Sequence, residues 1–468
     1  MQDYSFLFFK KITQAIANTD FTGYTFQYPP LFLWKQAFLK SQALNAWKKN
    51  IGDDKLLKHL GIYIHIPFCP HKCTYCRYFS VELQEKSILR TYLKALANEM
   101  KIYGKILKKT SISTLYLGGG TPAMLSENQI NSLFKLIHEE FDLSQCKQIC
   151  FEGNPDFLDF RKLEILKRWN VKRLTIGVQS LDGKVINAVK RYQTQGAFLD
   201  CFRMARQLKI EHINIDIMAG LPKQTLNSFL ATLKQVIDLR PDMIHVHPFY
   251  PTSFTLFSRK GLFLSEKNSR DRKQMSSLSA MLLEKAGYKP ILFDANGLKQ
   301  SSRNIQLSDA IEYNSPFLGL GAGAVSHVPY HLRYLNHKDI SKYIKALNKK
   351  TIPVYSEIQL TKQDEMIAYI ISALRYGEIN KKKFKKLFNK DIEINFKSII
   401  YNLAKRNKIL NLSDKIVSQM RDIGDYSIFS KFFYSQGILS ESRKKIGEFE
   451  KRGIIINKKE LRKKNILL

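Results

Sequence analysis

The chain has 468 residues, 44% of them hydrophobic, which suits one large domain with one or two smaller ones and excludes global disorder. Its formal charge of +34 comes from basic residues scattered along the chain, nowhere interleaved with aromatics for base stacking, so no nucleic-acid partner is expected. Six cysteines in this length exclude a secreted disulfide scaffold, and no stretch is apolar enough to span a bilayer, so a cytoplasmic protein of a reduced compartment is expected.

Residues 1–60 are aromatic-rich and irregular, with YPP at 28–30, and read as an extension ahead of the main domain; the start, MQDYSFLFFKKI, shows no small-residue cleavage site. The pattern changes at 61. Apolar, β-branched segments predict strands at GIYIHI (61–66), ISTLYLG (112–118), QICFEG (148–153), RLTIGV (173–178), HINIDIM (212–218) and MIHVHPF (243–249). Helical patterns fall at about 83–105, 126–141, 158–169, 182–190, 196–208 and 224–238; in the last, Phe229, Leu233 and Val236 share one face. Six rounds of strand and helix predict an α/β core over 61–260 with a parallel sheet, for which a partial (β/α)6 barrel fits at least as well as a doubly wound sheet.

The polar and Gly-rich segments follow the strands: three cysteines after the first, then GGGTP, GNPD, QSLDG and AGLPKQ. In a barrel those loops gather at one mouth, where active sites sit. Residues 261–355 read as a linker that completes the barrel and carry GLGAGAVSH at 319–327. From 356 to 468 the chain is Lys-rich and helical in pattern, which predicts a small, mostly helical, winged-helix-like C-terminal domain. Lysines cluster only in that tail, as KKKFKK at 381–386 and in later KK pairs, and a polycarboxylate substrate would be drawn to so basic a protein.

Within PFCPHKCTYC, Cys69, Cys73 and Cys76 form C-x3-C-x2-C. A structural zinc site needs four ligands, and His65 or His71 could supply the fourth, although His65 lies on the predicted strand. No fourth cysteine is near enough to complete a four-thiolate [4Fe–4S] cluster. Three thiolates on three irons would leave the fourth iron open to a small ligand, as a catalytic zinc keeps one position open. Cys146 and Cys150 repeat the x3 spacing without a third member; Cys150, on a strand, and Cys201, on a helix face, read as buried core. His245 and His247 share one face of the sixth strand, as a core pair or, if luminal, in reach of substrate or an iron.

The stretch YIHIPFCPHKCTYCRYF, with GGGTP, E-x-N-P, IGVQS, D-x-x-x-GLP and GLGAG, resembles the oxygen-independent coproporphyrinogen III oxidase family of the radical S-adenosylmethionine (SAM) superfamily, which includes heme chaperones and heme-modifying enzymes. The resemblance runs from about 61 to about 345, taking in RYLN (333–336) and Tyr343, with a weaker echo in ALRYGEI (373–379). It implies a radical SAM barrel and a [4Fe–4S] cluster on Cys69, Cys73 and Cys76. It further implies SAM on the open iron, cleaved to a 5′-deoxyadenosyl radical by an electron from a donor such as flavodoxin or ferredoxin. Tyr63 and Tyr75 would flank cluster and SAM. Gly118, Gly119 and Gly120 would meet the SAM amino group, with Thr121 adding a hydroxyl, and Glu152 would help to hold SAM. Gln179, Arg191 and Asp216 match positions that contact a second SAM, and Tyr250 and Val325 match further SAM contacts, so one SAM or two are implied.

The implied substrate is a tetrapyrrole or similar conjugated molecule, altered by oxidative decarboxylation, methyl transfer or heme modification. The oxidases of the family resemble C-x3-C-x2-C-x-C, whereas this chain has Tyr78 at the fourth position. Heme chaperones carry an aromatic there but begin close to the cluster loop; heme-cleaving and methyl-transferring relatives combine the aromatic with a longer lead-in, and CTYCRYF looks nearest to these. A non-catalytic heme chaperone on the same fold is the alternative.

Overall fold

The structure, a computed structural model, describes residues 6–19, 28–37, 42–51, 57–252, 255–261, 266–292, 294–420 and 423–451. Six parallel strands form its centre: β1 (Gly61–Ile66), β2 (Thr114–Gly119), β3 (Gln148–Gly153), β4 (Val171–Gln179), β5 (His212–Ala219) and β6 (Met243–Pro248). They are joined by helices that include α1 (Lys86–Leu107), α2 (Glu127–Glu140), α3 (Phe160–Arg168), α4 (Gln195–Gln207) and α5 (Leu226–Asp238). The strands are near-continuous apolar runs because helices cover one face and the lumen closes the other. In β1, Ile62, Ile64 and Ile66 are fully buried, while Tyr63 is the partly exposed position. Side-chain caps start α2 to α5: Ser126 and Gln129 make a capping box on α2, Thr225 and Ser228 another on α5.

The region 261–355 extends this sheet in both directions. After β6 come β7 (Lys289–Leu292) and β8 (Ala295–Gly297), antiparallel on the β6 edge. On the β1 side β9 (Phe317–Leu320) pairs in parallel, followed by antiparallel β10 (Val325–Val328), β11 (Leu332–Asn336) and β12 (Val354–Gln359), with Lys35–Gln36 at the edge. The thirteen strands run in one open order, Lys35–Gln36, β12, β11, β10, β9, β1 to β6, β8, β7. The fold is therefore α/β, a partial barrel with a helical C-terminal region.

Beyond Lys362 lie helices and a three-stranded sheet formed by Glu378–Asn380, Lys415–Ser418 and Ile409–Asn411. Its core includes Ile367, Ile371, Phe384 and Leu403, and also Phe9, Ile12 and Ile16 of the N-terminal helix Phe6–Thr19. The N-terminal helix thus shares a core with the described part of the C-terminal region. Others of the first sixty residues serve the barrel: Trp47 is fully buried in its core and donates to Tyr334 Oη at 2.9 Å.

One buried carboxyl ties the Gly-rich segment to the barrel wall. Glu99 of α1 is wholly buried and accepts from Gly321 N at 2.7 Å, Asn336 Nδ2 at 2.7 Å and Tyr343 Oη at 2.6 Å. Burial pushes its carboxyl up to about 7 against the pull of these three donors. Tyr92, two turns earlier on the same helix, donates to the His65 carbonyl at 2.7 Å and accepts from Ala322 N at 3.0 Å. RYLN and Tyr343 are thereby explained as packing partners of GLGAG. Glu99→Ala would leave three buried donors unpaired; we expect a loss of about 3 kcal/mol in denaturant unfolding, and a much smaller loss for Glu99→Gln, which keeps an acceptor.

Candidate functional site

The loop after β1 carries the three cysteines and is pinned to the loop after β2. Gly120 N donates to Ile66 O and Thr121 N to Phe68 O, both at 2.8 Å, and Thr121 Oγ1 donates to Cys69 Sγ at 3.5 Å. A Cβ on Gly120 would lie 2.4 Å from Phe68 O, so only glycine permits this approach. Gly119 has φ +117, and a Cβ on Gly118 would lie 2.7 Å from Glu152 Oε2. The glycines bring the backbone against the cysteine loop and make room for a carboxylate. The amide donors of residues 119 to 121 are committed within the protein, Gly119 N to Glu152 Oε2 at 3.3 Å. A ligand ammonium here would meet acceptors, foremost Glu152.

Glu152, at the end of β3, accepts from Tyr116 Oη at 2.5 Å. Burial first, and then the charge of Asp216, push its carboxyl up to about 7. Tyr63 stands beside Tyr116, ring centroids 5.8 Å apart, and donates to His65 Nδ1 at 2.9 Å. His65 Nε2 donates to Phe79 O at 3.1 Å, which fixes Nδ1 as the acceptor; burial pushes this imidazole down to about 4, so it is neutral. Both ring nitrogens are in use, which speaks against His65 as a zinc ligand.

Cys69, Cys73 and Cys76 are all partly exposed. Burial, with Cys76 next, pushes the Cys69 thiol up to about 11; burial raises Cys73 too, opposed by Arg191. Arg191 is 9% exposed and donates to Tyr75 Oη at 3.0 Å, to Gln193 Oε1 at 2.7 Å and to Gly177 O. All three acceptors are uncharged, so its charge acts on the adjacent thiol. Tyr75 packs against the cluster of Val185, Val189, Met218, Leu221, Phe249 and Phe257. Gln179 ends β4 with φ +67, and its Nε2 would lie 3.0 Å from a Cβ on Gly177.

Asp216 of β5 pairs in register with His245 of β6 and accepts from Asn214 Nδ2 at 2.7 Å. Its Oδ1 lies 3.6 Å from His245 Nδ1 and 3.8 Å from His247 Nε2. The histidines therefore face the lumen beside Asp216, which decides between the two orientations that their alternation leaves open. Asp294, outside every motif, joins them. The two carboxylates outweigh burial and raise His247 to about 9. Burial works against the charge of Asp216 as well, but the imidazoles hold its carboxyl well below the usual range. Two expected positions lie apart from this group. Tyr250 sits under the Arg272 guanidinium, 4.0 Å from ring centroid, and lines a cavity of about 1160 Å³ between β6–β8 and the C-terminal region. Val325 packs with Leu31, Trp34, Leu335 and Phe79. Cys150 and Cys201 are buried, as expected.

The profile of the Radical SAM superfamily matches residues 63–236. The heme chaperone HemW of Bacillus subtilis is 28% identical over 362 residues, 75% of this chain and 92% of that protein. The oxygen-independent coproporphyrinogen III oxidase of Salmonella typhimurium is 27% identical over 327 residues, 67% and 71% of the two chains. Coproporphyrinogen III oxidase (HemN) from Escherichia coli shares the fold, with a TM-score of 0.76, 22% identity and coverage of 88% of this chain and 97% of that one. Residues 63–236 thus match the radical SAM superfamily, and over 67–75% of its length the chain is similar to both coproporphyrinogen III oxidases and heme chaperones.

The radical SAM match implies a [4Fe–4S] cluster and SAM, and the donors present suit the cluster. A single tetrahedral zinc at ~2.3 Å from its sulfurs would hold them roughly 3.8 Å apart. Among the described residues the cysteines do not form a group with all ligand atoms within 4.8 Å; the trio that does is Asp216, His245 and His247. Three thiols on one clipped loop, more widely spread than one zinc ion would hold them, suit a centre of several irons. Gly120→Ala would push the Phe68 carbonyl and the cysteine loop aside; we expect less than about half the wild-type iron per chain after anaerobic reconstitution, with the far-ultraviolet circular dichroism unchanged.

Proposed function

We propose that this chain is a radical SAM enzyme that modifies a tetrapyrrole, with Cys69, Cys73 and Cys76 holding the cluster. The observation that carries the reading is the joining of these thiols to the GGGT loop, through Thr121 and two backbone hydrogen bonds, beside a buried Glu152. Held there, cluster and SAM would supply radical chemistry at the substrate. The chain's own residues bind, orient and keep out water. Glu152 would accept from the SAM amino group, and Tyr116 fixes its carboxylate. Tyr63, its hydroxyl held by His65, presents a ring to the lumen. Arg191 and Tyr75 brace the cysteine loop against β4. Val325 is assigned a peripheral contact and Tyr250 a place at the substrate cavity. Gln179, Arg191 and Asp216 line the strands where a second SAM would sit, and the SAM bound per cluster counts one or two.

The 1160 Å³ cavity suits a flat tetrapyrrole, and Arg272 on its wall suits a propionate. Arg272 is 7% exposed, and its Nε is buried without a hydrogen-bond partner. A heme chaperone is the second reading, favoured by the match to HemW over 92% of that protein's length. Anaerobic reconstitution, followed by incubation with SAM, dithionite and either heme or coproporphyrinogen III, separates the two. Formation of 5′-deoxyadenosine with an altered pigment means an enzyme; unaltered heme passed to an acceptor means a chaperone. A normal cluster spectrum without SAM cleavage would sink the radical reading.

Two outcomes refine it. Arg272→Ala should weaken tetrapyrrole binding about tenfold or more, from the loss of a charge-assisted hydrogen bond. Glu152 is protonated below about pH 7 and charged above it, and an ammonium prefers the charged form. SAM affinity should therefore rise with pH through 7 and level off, while Glu152→Gln should bind weakly with no such rise; isothermal titration across pH 6–8 reads both.

A further inference from the structure

We propose that Asp216, His245 and His247 bind a single divalent first-row metal ion in the barrel lumen, separate from the cysteines. Pairing of β5 with β6 sets Asp216 against His245 and Met218 against His247, so both imidazoles and the carboxylate share one face. Their ligand atoms all lie within 4.8 Å of one another. The separations from Asp216 Oδ1, 3.6 Å to His245 Nδ1 and 3.8 Å to His247 Nε2, are too long for hydrogen bonds. They lie close to the roughly 3.4 Å between ligands of a tetrahedral ion held at ~2.1 Å.

The far side of the pair carries a second, independent mark. Asp294 Oδ1 lies 3.6 Å from His245 Nε2, and Asp294 Oδ2 lies 3.7 Å from His247 Nδ1. One carboxylate thus faces the remaining nitrogen of both rings, the outer arrangement that orients metal-bound histidines and fixes their tautomers. Asp294 is 8% exposed, and its Oδ1 and His245 Nε2 are buried without hydrogen-bond partners. Plain imidazolium–carboxylate pairs would close to about 2.8 Å; here all four gaps stay at 3.6–3.8 Å. Asn214 fixes Asp216 from outside. His247 has a third of its side chain exposed, so the ion would keep an open position towards the lumen. Two imidazole nitrogens and one carboxylate oxygen favour an ion such as Zn²⁺ or Fe²⁺ over Ca²⁺ or Mg²⁺. Such a site takes Asp216 as a ligand, in place of its expected contact with a second SAM.

The test uses the full chain with its cluster reconstituted, stripped with EDTA and dialysed against a small excess of Zn²⁺. We expect one zinc per chain beyond the cluster iron, with X-ray absorption showing only nitrogen and oxygen ligands at about 2.0–2.1 Å. His245→Ala and His247→Ala should each lose that zinc while the cluster absorbance stays unchanged. Asp294→Asn, a change at a positioning residue, should weaken it about 10–100-fold. No zinc on the wild type would overturn the site, as would a zinc–sulfur distance near ~2.3 Å, which would mean capture by the cysteines. Zinc kept by a His245→Ala/His247→Ala double variant would do the same. The absorption spectrum of the wild type decides the matter even where a variant fails to fold.

Discussion

The site depends on one close approach, that of the backbone after β2 to the loop after β1. Two hydrogen bonds, from Gly120 N to Ile66 O and from Thr121 N to Phe68 O, continue the β1–β2 ladder past the strand ends. They work only because residue 120 has no side chain. The same ladder sets the height at which Cys69 emerges. Pairing of β2 with β3 then brings Glu152 to Gly118 and Gly119. Thiol, loop and carboxylate are thus placed by parallel pairing before any ligand arrives, which is the pre-organisation that a small, charged ligand needs.

Electrostatics divide the lumen. At the thiol end, burial keeps Cys69 and Cys73 protonated in the empty protein, so loading of a metal centre must expel protons. Arg191 favours that loss, because its hydrogen bonds go to neutral acceptors and leave its charge to act on Cys73. At the β5–β6 end, two carboxylates and two imidazoles balance one another over a few ångströms. Glu152 stands between the two ends and feels both Asp216 and His247. A ligand at either end therefore alters the proton affinity of this carboxyl.

The barrel was legible in the sequence because strands buried on both faces must be apolar, short and bounded by polar loops. β1 and β3 fall on the expected residues, and the other four strands differ by two residues or fewer at each end. Cys69, Cys73 and Cys76 declared themselves by spacing, and Asp216 by being a charge within an apolar strand. What lacked a local signal stayed hidden. Tyr116 looks like any strand aromatic, and its bond to Glu152 exists only through the register of β2 on β3. Asp294 follows β7, a strand that reaches the lumen only by folding back along β8. Arg191 reads as a solvated residue after a short helix, yet it turns inward to Gly177. The helix Phe6–Thr19 shows an apolar face, but nothing local tells that this face meets the C-terminal core.

That last pairing bears on why the sheet stays open. A closed barrel would satisfy its own edges; this one leaves β7 at an edge that must be covered. The C-terminal region covers it, with Tyr376 packed on Met243, Ile291, Leu292 and Ala295. The cover is incomplete, and the 1160 Å³ cavity is the space that remains along the seam. Asp294 lies at both places, on the cavity wall and behind the imidazole pair. Asp294 would thus link a molecule in the seam to the imidazole pair. The incomplete barrel gives the chain a large, partly cationic pocket that shares Asp294 with the imidazole pair, an arrangement that closing the sheet would have removed.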